Sequence, residues 1–321
     1  MGGAAEENRG YVKNLFSLAV VSGILNTMVS LATPFLYAAL GETIAQSSGV
    51  VNLGVDGIML LSAFAAFYVA LTTGSLWLGL LAAAIVGLLM GLLMSFVSVT
   101  LKAEQGVSGI GLYMFGLGMS SLLFKILIGT VKTVQGFPPV AIPFLGDIPI
   151  LGPILFRNAI PVYGAFLLVP LVWWMLERTT LGLRIKSVGQ NPAAADSLGI
   201  SVDRIRYFSV CLGSTLAGIA GASLSICLLN LFQDNLTAGQ GFIAVALVYF
   251  GGWNPVGVMG GAILFSVVNS LQLWMQVLGV KISSSVAVML PYLLTIAALT
   301  ITVNRMRQPA ALNKPFERGE N

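Results

Sequence analysis

Histidine is absent from the 321 residues, and cysteine occurs only twice. The usual general base and a common metal ligand are therefore missing, which excludes most hydrolytic and metal-dependent chemistry. Cys211 and Cys227 stand sixteen residues apart in one apolar run and fit no metal-ligand or disulfide pattern. There is no G-x-S-x-G elbow and no phosphate-binding P-loop. The chain thus has no catalytic constellation and calls for no cofactor or metal of its own. Charge is scarce too. Only 9% of residues are Asp, Glu, Lys or Arg, against about 25% in soluble domains. A soluble globular protein is excluded.

Apolar residues fill the gap: 57% of the chain is hydrophobic and the mean hydropathy is +0.92. The runs are continuous, which points to membrane helices rather than the short alternating segments of barrel strands. The expected class is all-α, a polytopic helical membrane protein in the cytoplasmic membrane. Clear spans read at about 14–33, 57–73, 76–99, 107–129, 160–176, 207–230, 257–278 and 284–303. Two stretches are broken. Residues 34–56 contain Gly, Ser and two carboxylates, and residues 239–256 contain Gly-Gly and Asn-Pro. The first apolar run is too long for a signal peptide and lacks a cleavage site, and Glu6 spoils a myristoylation pattern.

Net charge is +4, but the basic residues gather in loops, which sets orientation and does not suggest nucleic acid as a partner. Arg9 and Lys13, the loop at 177–207, and the tail with Arg305, Arg307, Lys314 and Arg318 should all face the cytoplasm. Counting both broken stretches as crossings satisfies this. About ten crossings are then expected, two of them discontinuous, with both termini cytoplasmic. Residues 1–321 form one transmembrane domain: 1–13 and 304–321 are cytoplasmic ends, 177–207 is a cytoplasmic loop, and 133–159 lies outside. Lys125, Lys132, Arg157 and Lys281 fall at or near the outer side. Five prolines in 133–159 forbid a regular helix there, so it should cap the outer face.

The loop at 177–207 carries five of the sixteen basic residues and one short helix with both ends marked. Asn191 can cap, Pro192 suits the first helical position, and Gly199 suits the left-handed position beyond the end. Two turns cannot hold together alone in water, so the helix should dock on something. A plain basic connector is the bland alternative.

SGVVNLGVDGIMLLSAF at 48–64 and FGGWNPVGVMGGAILFS at 250–266 look alike, each a glycine-marked bend with Asn before a restarted helix. Paired interruptions in two halves point to a transport pathway, because unwound backbone at membrane depth must line a cavity. Glu42 and Asp56 are the carboxylates nearest that depth, and burying one costs about 3 kcal/mol on insertion scales. Asp56 suits a cap where the next span begins; for Glu42, relay and cap both stay open. Asn52, Gln240, Asn254 and Asn269 could bond hydroxyls or a base, and Phe242, Tyr249 and Trp253 could stack on a flat ligand. Each such residue is more often simple packing.

GETIAQSSGVVNLGVDGIMLLSAF, GLRIKSVGQNPAAADSLGIS with the following LAGIAGA, and TAGQGFIAVALVYFGGWNPVGVMGGAILF resemble the inner-membrane permeases of ABC importers. They look like the ribose/branched-chain amino-acid permease superfamily, in its simple-sugar and nucleoside branch, over residues 38–265. Asp56 stands where Glu is more usual, which keeps the charge. The resemblance implies a transport subunit, not an enzyme. It implies a separate ATP-binding cassette ATPase subunit, a second permease (a heterodimer is expected, a homodimer possible) and an extracytoplasmic substrate-binding lipoprotein. It also implies that Gly189, Asn191, Pro192, Ala194 and Ala195, with Asp196, form the coupling helix that docks on the ATPase. Pathway candidates are Glu42, Asn52, Asp56, Phe242, Tyr249, Trp253 and Asn254, and a nucleoside is expected before a free sugar. A secondary carrier using Glu42 and Asp56 with a proton or sodium gradient is the alternative.

Overall fold

A computed structural model describes residues 18–143, 146, 148, 151–277, 289, 293, 300 and 308–317. Arg9, Lys13, Lys281, Arg305, Arg307 and Arg318 lie outside these residues, as does the span expected at 284–303 apart from three single residues.

The described part of the molecule is built around its first helix. Helix α1 (Leu18–Ser47) runs for 30 residues with Pro34 inside it, and every residue from Ala32 to Asn52 is buried. The break expected between 33 and 34 is absent, so the two crossings read at 14–33 and 34–56 are one helix followed by a connector at 48–54. Proline removes one backbone donor, but here neighbouring helices enclose the site. Thr33 turns its hydroxyl onto the Val29 carbonyl at 3.3 Å, a bond separate from the Ser30 carbonyl that Pro34 leaves without its donor. Packing outweighs the local rule.

Helix α2 (Val55–Thr73) ends at Gly74, whose φ of 69° and N–H to the Ala70 carbonyl close it in the left-handed manner. Helix α3 (Leu76–Ser95) starts on Ser75, which accepts from the Leu78 N–H, and continues as a π turn, Phe96–Thr100. Its exposed face carries Trp77, Leu81, Ile85, Leu88, Leu89 and Leu92, the surface a lipid environment wants. Its buried face is mostly small: Gly79, Ala83, Gly87 and Gly91. Small residues let membrane helices approach closely. Helix α4 (Gln105–Leu127) is capped by Glu104, which accepts from Gly106 and Val107. Those N–H groups, Val107 first, hold this exposed carboxylate below its ordinary range.

The 133–159 stretch contains a feature the all-helical reading lacks. Strands β1 (Pro139–Ala141) and β2 (Arg157–Ala159) pair antiparallel, Val140 opposite Asn158, with a short helix α5 (Leu151–Leu155) between them. Prolines that cannot continue a helix still fit an edge strand. Helix α6 (Ile160–Arg178) follows, and the Tyr37 hydroxyl donates to its Pro161 carbonyl at 2.8 Å.

The polar loop holds two helices, not one: α7 (Thr180–Gln190) and α8 (Pro192–Ser197). Helix α9 (Val202–Ala222) begins five residues earlier than the span read at 207–230 and ends in a π turn, Ser223–Leu228. Helices α10 (Gln240–Phe250) and α11 (Pro255–Val277) complete the described chain. Helices α9 and α1 cross at glycines: a Cβ on Gly41 or on Gly213 would stand 2.5 Å from the other's carbonyl oxygen. Among the described residues, seven helices are long and apolar enough to cross a membrane, and α10 is not. The protein is a multi-pass helical membrane protein, with one small ribbon among the described residues.

Candidate functional site

Both motifs that look alike in sequence break a helix in the same way. At the first, α1 ends at Ser47, Gly49 takes a φ of 91°, and α2 restarts at Val55. At the second, α10 ends at Phe250, Gly252 takes a φ of 62°, and α11 restarts at Pro255. In each, an asparagine side chain accepts from the backbone two residues on. Asn52 takes the Gly54 N–H and Asn254 the Val256 N–H, both at 2.9 Å. This is the local side-chain turn that asparagine favours.

Asp56 is fully buried and stands in the first turn of α2, but the helix it caps by hydrogen bonds is another one. Its carboxylate accepts from the Gly241 N–H at 2.7 Å and the Thr237 hydroxyl at 3.0 Å. A Cβ on Gly241 would lie 2.4 Å from Asp56 backbone atoms, so the N-terminus of α10 abuts that of α2. Two positive helix ends repel. One carboxylate between them, bonded to the orphan donors of the second, makes the meeting favourable.

Glu42 resolves as a brace. Its Oε1 accepts from the Asn52 N–H at 2.9 Å and from Gln46 Nε2 at 3.0 Å. Gln46 in turn accepts from the Trp253 indole N–H at 2.9 Å. Trp253 holds a φ of 57°, a region that costs a bulky residue about 1–2 kcal/mol, and the indole bond helps to hold it there. Glu42, Gln46 and Trp253 thus join the two breaks by one buried chain of hydrogen bonds, with Asn52 at its end.

The remaining pathway candidates separate. Phe242 is exposed and meets Tyr113 edge-on at 5.1 Å. Tyr249 is half-buried and stacks edge-on with Trp253 at 5.0 Å. Asn254 is exposed at the second break, and Gln240 and Asn269 are half-buried. The structure brings together Glu42, Asn52, Asp56 and Trp253 as a braced core. Gln46, Thr237 and Gly241 belong to it and went unread; Gln46 could have been found one helical turn beyond Glu42.

The expected short helix is α8. Asn191 Oδ1 accepts from the Ala194 N–H at 3.0 Å, Pro192 opens the helix, and Gly199 takes a φ of 82°. Gly189 presses on the end of α1: a Cβ there would sit 2.1 Å from the Ser47 carbonyl oxygen. Ala195 points inward against Val188 and Val202, with Phe316 beside them. Ala194 is exposed, Asp196 half-buried, and Leu198 is 81% exposed. The outward face of the loop is therefore Ala193, Ala194 and Leu198, without Ala195. Helix α7 went unread, although Thr179 caps it through the Gly182 N–H at 3.1 Å and Ile185 and Val188 line its buried side.

The family described as branched-chain amino acid transport system / permease component matches residues 24–299. The chain is 35% identical to a putative glucose ABC transporter permease protein of Haloferax volcanii, covering 94% of this chain and 99% of that one. It is 35% identical to a guanosine ABC transporter permease protein of Bacillus subtilis, covering 94% and 98%. It is 34% identical to a nucleoside ABC transporter permease protein of Lactococcus lactis, covering 90% and 94%. No solved structure matches it significantly. A match across nearly all of the described helices, on a fold of membrane helices broken at two related points, settles membership: the chain belongs to the branched-chain amino acid transport system permease family and is a transport subunit, not an enzyme.

Proposed function

We propose that this permease forms the membrane pathway of an ABC importer that takes up nucleosides. The near full-length likeness to the guanosine and nucleoside permeases carries the reading. A simple sugar is the second reading, favoured by the glucose relative; a hydroxylated sugar ring is common chemistry to both. ATP is hydrolysed on a partner subunit, whose docking site is the outward face of α8 with Asn191, Pro192, Ala194 and Asp196, while Gly189 seats the loop against α1. A second permease and a substrate-binding lipoprotein complete the importer. The pathway runs beside α10, with Phe242, Tyr249 and Asn254 nearest the permeant. Glu42, Asn52, Asp56 and Trp253 hold its wall. A gradient-driven carrier loses its support, since both carboxylates are already committed to backbone N–H groups.

The loop at 177–207 faces the cytoplasm in this arrangement, along with Ser47, Lys102 and Lys314. Because α1 is continuous, its Leu18 end then lies on the outer side. From residue 18 onward, the seven long helices, taken with the broken stretch at 229–250 and the span expected at 284–303, would give nine crossings. The test is uptake into right-side-out vesicles that enclose ATP and hold the permease, its ATPase, a second permease and the substrate-binding lipoprotein. ATP-dependent accumulation of labelled guanosine, competed by other nucleosides and not by glucose, is expected. Uptake competed only by glucose moves the substrate to the sugar reading; uptake by this chain alone on an ion gradient overturns the ABC reading.

A further inference from the structure

Residues 308–317 cross the same end of three elements that are remote in sequence. The Ala311 N–H donates to the Gly189 carbonyl at 2.9 Å, beside the docking helix. Two residues on, the Asn313 N–H donates to the Gly49 carbonyl at 3.1 Å, inside the first break. Glu317 pairs with Lys102, just past α3, at 3.1 Å. Phe316 packs into the cluster of Val188, Ala195 and Val202 under α8. One short segment thus grips the docking loop and the first broken helix by separate backbone hydrogen bonds.

Beneath it lies Arg206, 1% exposed. Its Nε and Nη2 have no hydrogen-bond partner among the described residues. Gly49 is where the pieces converge. A Cβ there would be 3.1 Å from the Ala311 carbonyl oxygen and 3.2 Å from Arg206 Nη2, and the φ of 91° wants glycine in any case. Removing a guanidinium from water with two of its nitrogens unpaired is unfavourable, and the charge of Asp203 offsets only part of that burial. The bonds of the segment therefore close this region against a group that would be better hydrated with it open. Two opposed contributions of this kind make an element that can take two positions.

We propose that residues 308–317 are a transmission strap: they carry displacement of the docking helix to the first helix break, and Arg206 favours their release. The proposal rests on the ABC permease reading, and it names the part that would link ATP hydrolysis to the pathway. If the segment only packed against the loop, holding it still would cost nothing in turnover.

Lys102 and Glu317 have side chains 40% and 44% exposed, so Lys102→Cys with Glu317→Cys can be bridged in the assembled complex by a reductant-cleavable bis-thiosulfonate linker. Single variants report any reaction at Cys211 or Cys227. Bridging should abolish substrate-stimulated ATP hydrolysis while the ATPase subunit stays bound, and reductant should restore it. Full stimulation in the bridged complex overturns the strap. Failure of the unbridged complex to retain any ATPase subunit would instead overturn the permease reading. As an independent measurement, Arg206→Met should slow amide exchange across 308–317; unchanged or faster exchange removes Arg206 from the proposal.

Discussion

A buried carboxylate in a membrane helix must have a partner, and that much was legible from Asp56 and Glu42 alone. Which partner was not. Asp56 bonds to Gly241, 185 residues away, and no local rule reaches that far. Glu42 was legible in hindsight, since Gln46 is four residues on and Asn52 ten. Asp56→Ala should remove the acceptor for the Gly241 N–H and leave two helix N-termini facing each other. Loss of a cap costs about 1–2 kcal/mol, and an unsatisfied buried donor a further 1–3 kcal/mol. The purified variant should melt several degrees below the wild type in a thermal unfolding assay. Asp56→Asn keeps an oxygen acceptor but not the charge, and should fall between. An alanine variant as stable as the wild type would mean that the cap contributes nothing.

Elements were legible where their ends carry chemistry. Asn191, Pro192 and Gly199 marked α8 correctly because caps and a left-handed stop are local devices. The continuity of α1 was not legible, because Pro34 and the nearby Gly and Ser residues argue locally for a break while the surrounding helices hold the chain straight. Helix α7 hid among basic residues that drew attention to charge rather than to Ile185 and Val188. The outward and inward faces of α8 give a sharp contrast. Ala194→Arg adds bulk to an exposed position and should leave membrane abundance normal while weakening recovery of the ATPase subunit. Ala195→Arg forces a charge among Val188, Val202 and Phe316, which costs several kcal/mol when unpaired, and should lower abundance itself. Quantitative blots of membrane and pull-down fractions distinguish the two. Equal behaviour of both variants would show that α8 does not present one face to a partner.

For the whole molecule, hydropathy gave the class, a multi-pass helical membrane protein; the side of the main loop and the crossing count follow from the positive-inside rule as proposals. Cysteines at exposed positions check the arrangement. Leu198→Cys should react with an impermeant maleimide only from the cytoplasm, and Lys132→Cys and Val21→Cys only from outside. Labelling of Val21→Cys from the same side as Leu198→Cys would restore an even number of crossings after residue 18. The braced core has a mechanical meaning as well. The element formed by α1 and α2 is tied to α10 at two places, Asp56 with Gly241 at one end and Gln46 with Trp253 near the other. A rod pinned at two points along its length cannot swing about either. Helices α1, α2 and α10 should therefore move as one body, since neither tie lets one of them pivot without straining the other.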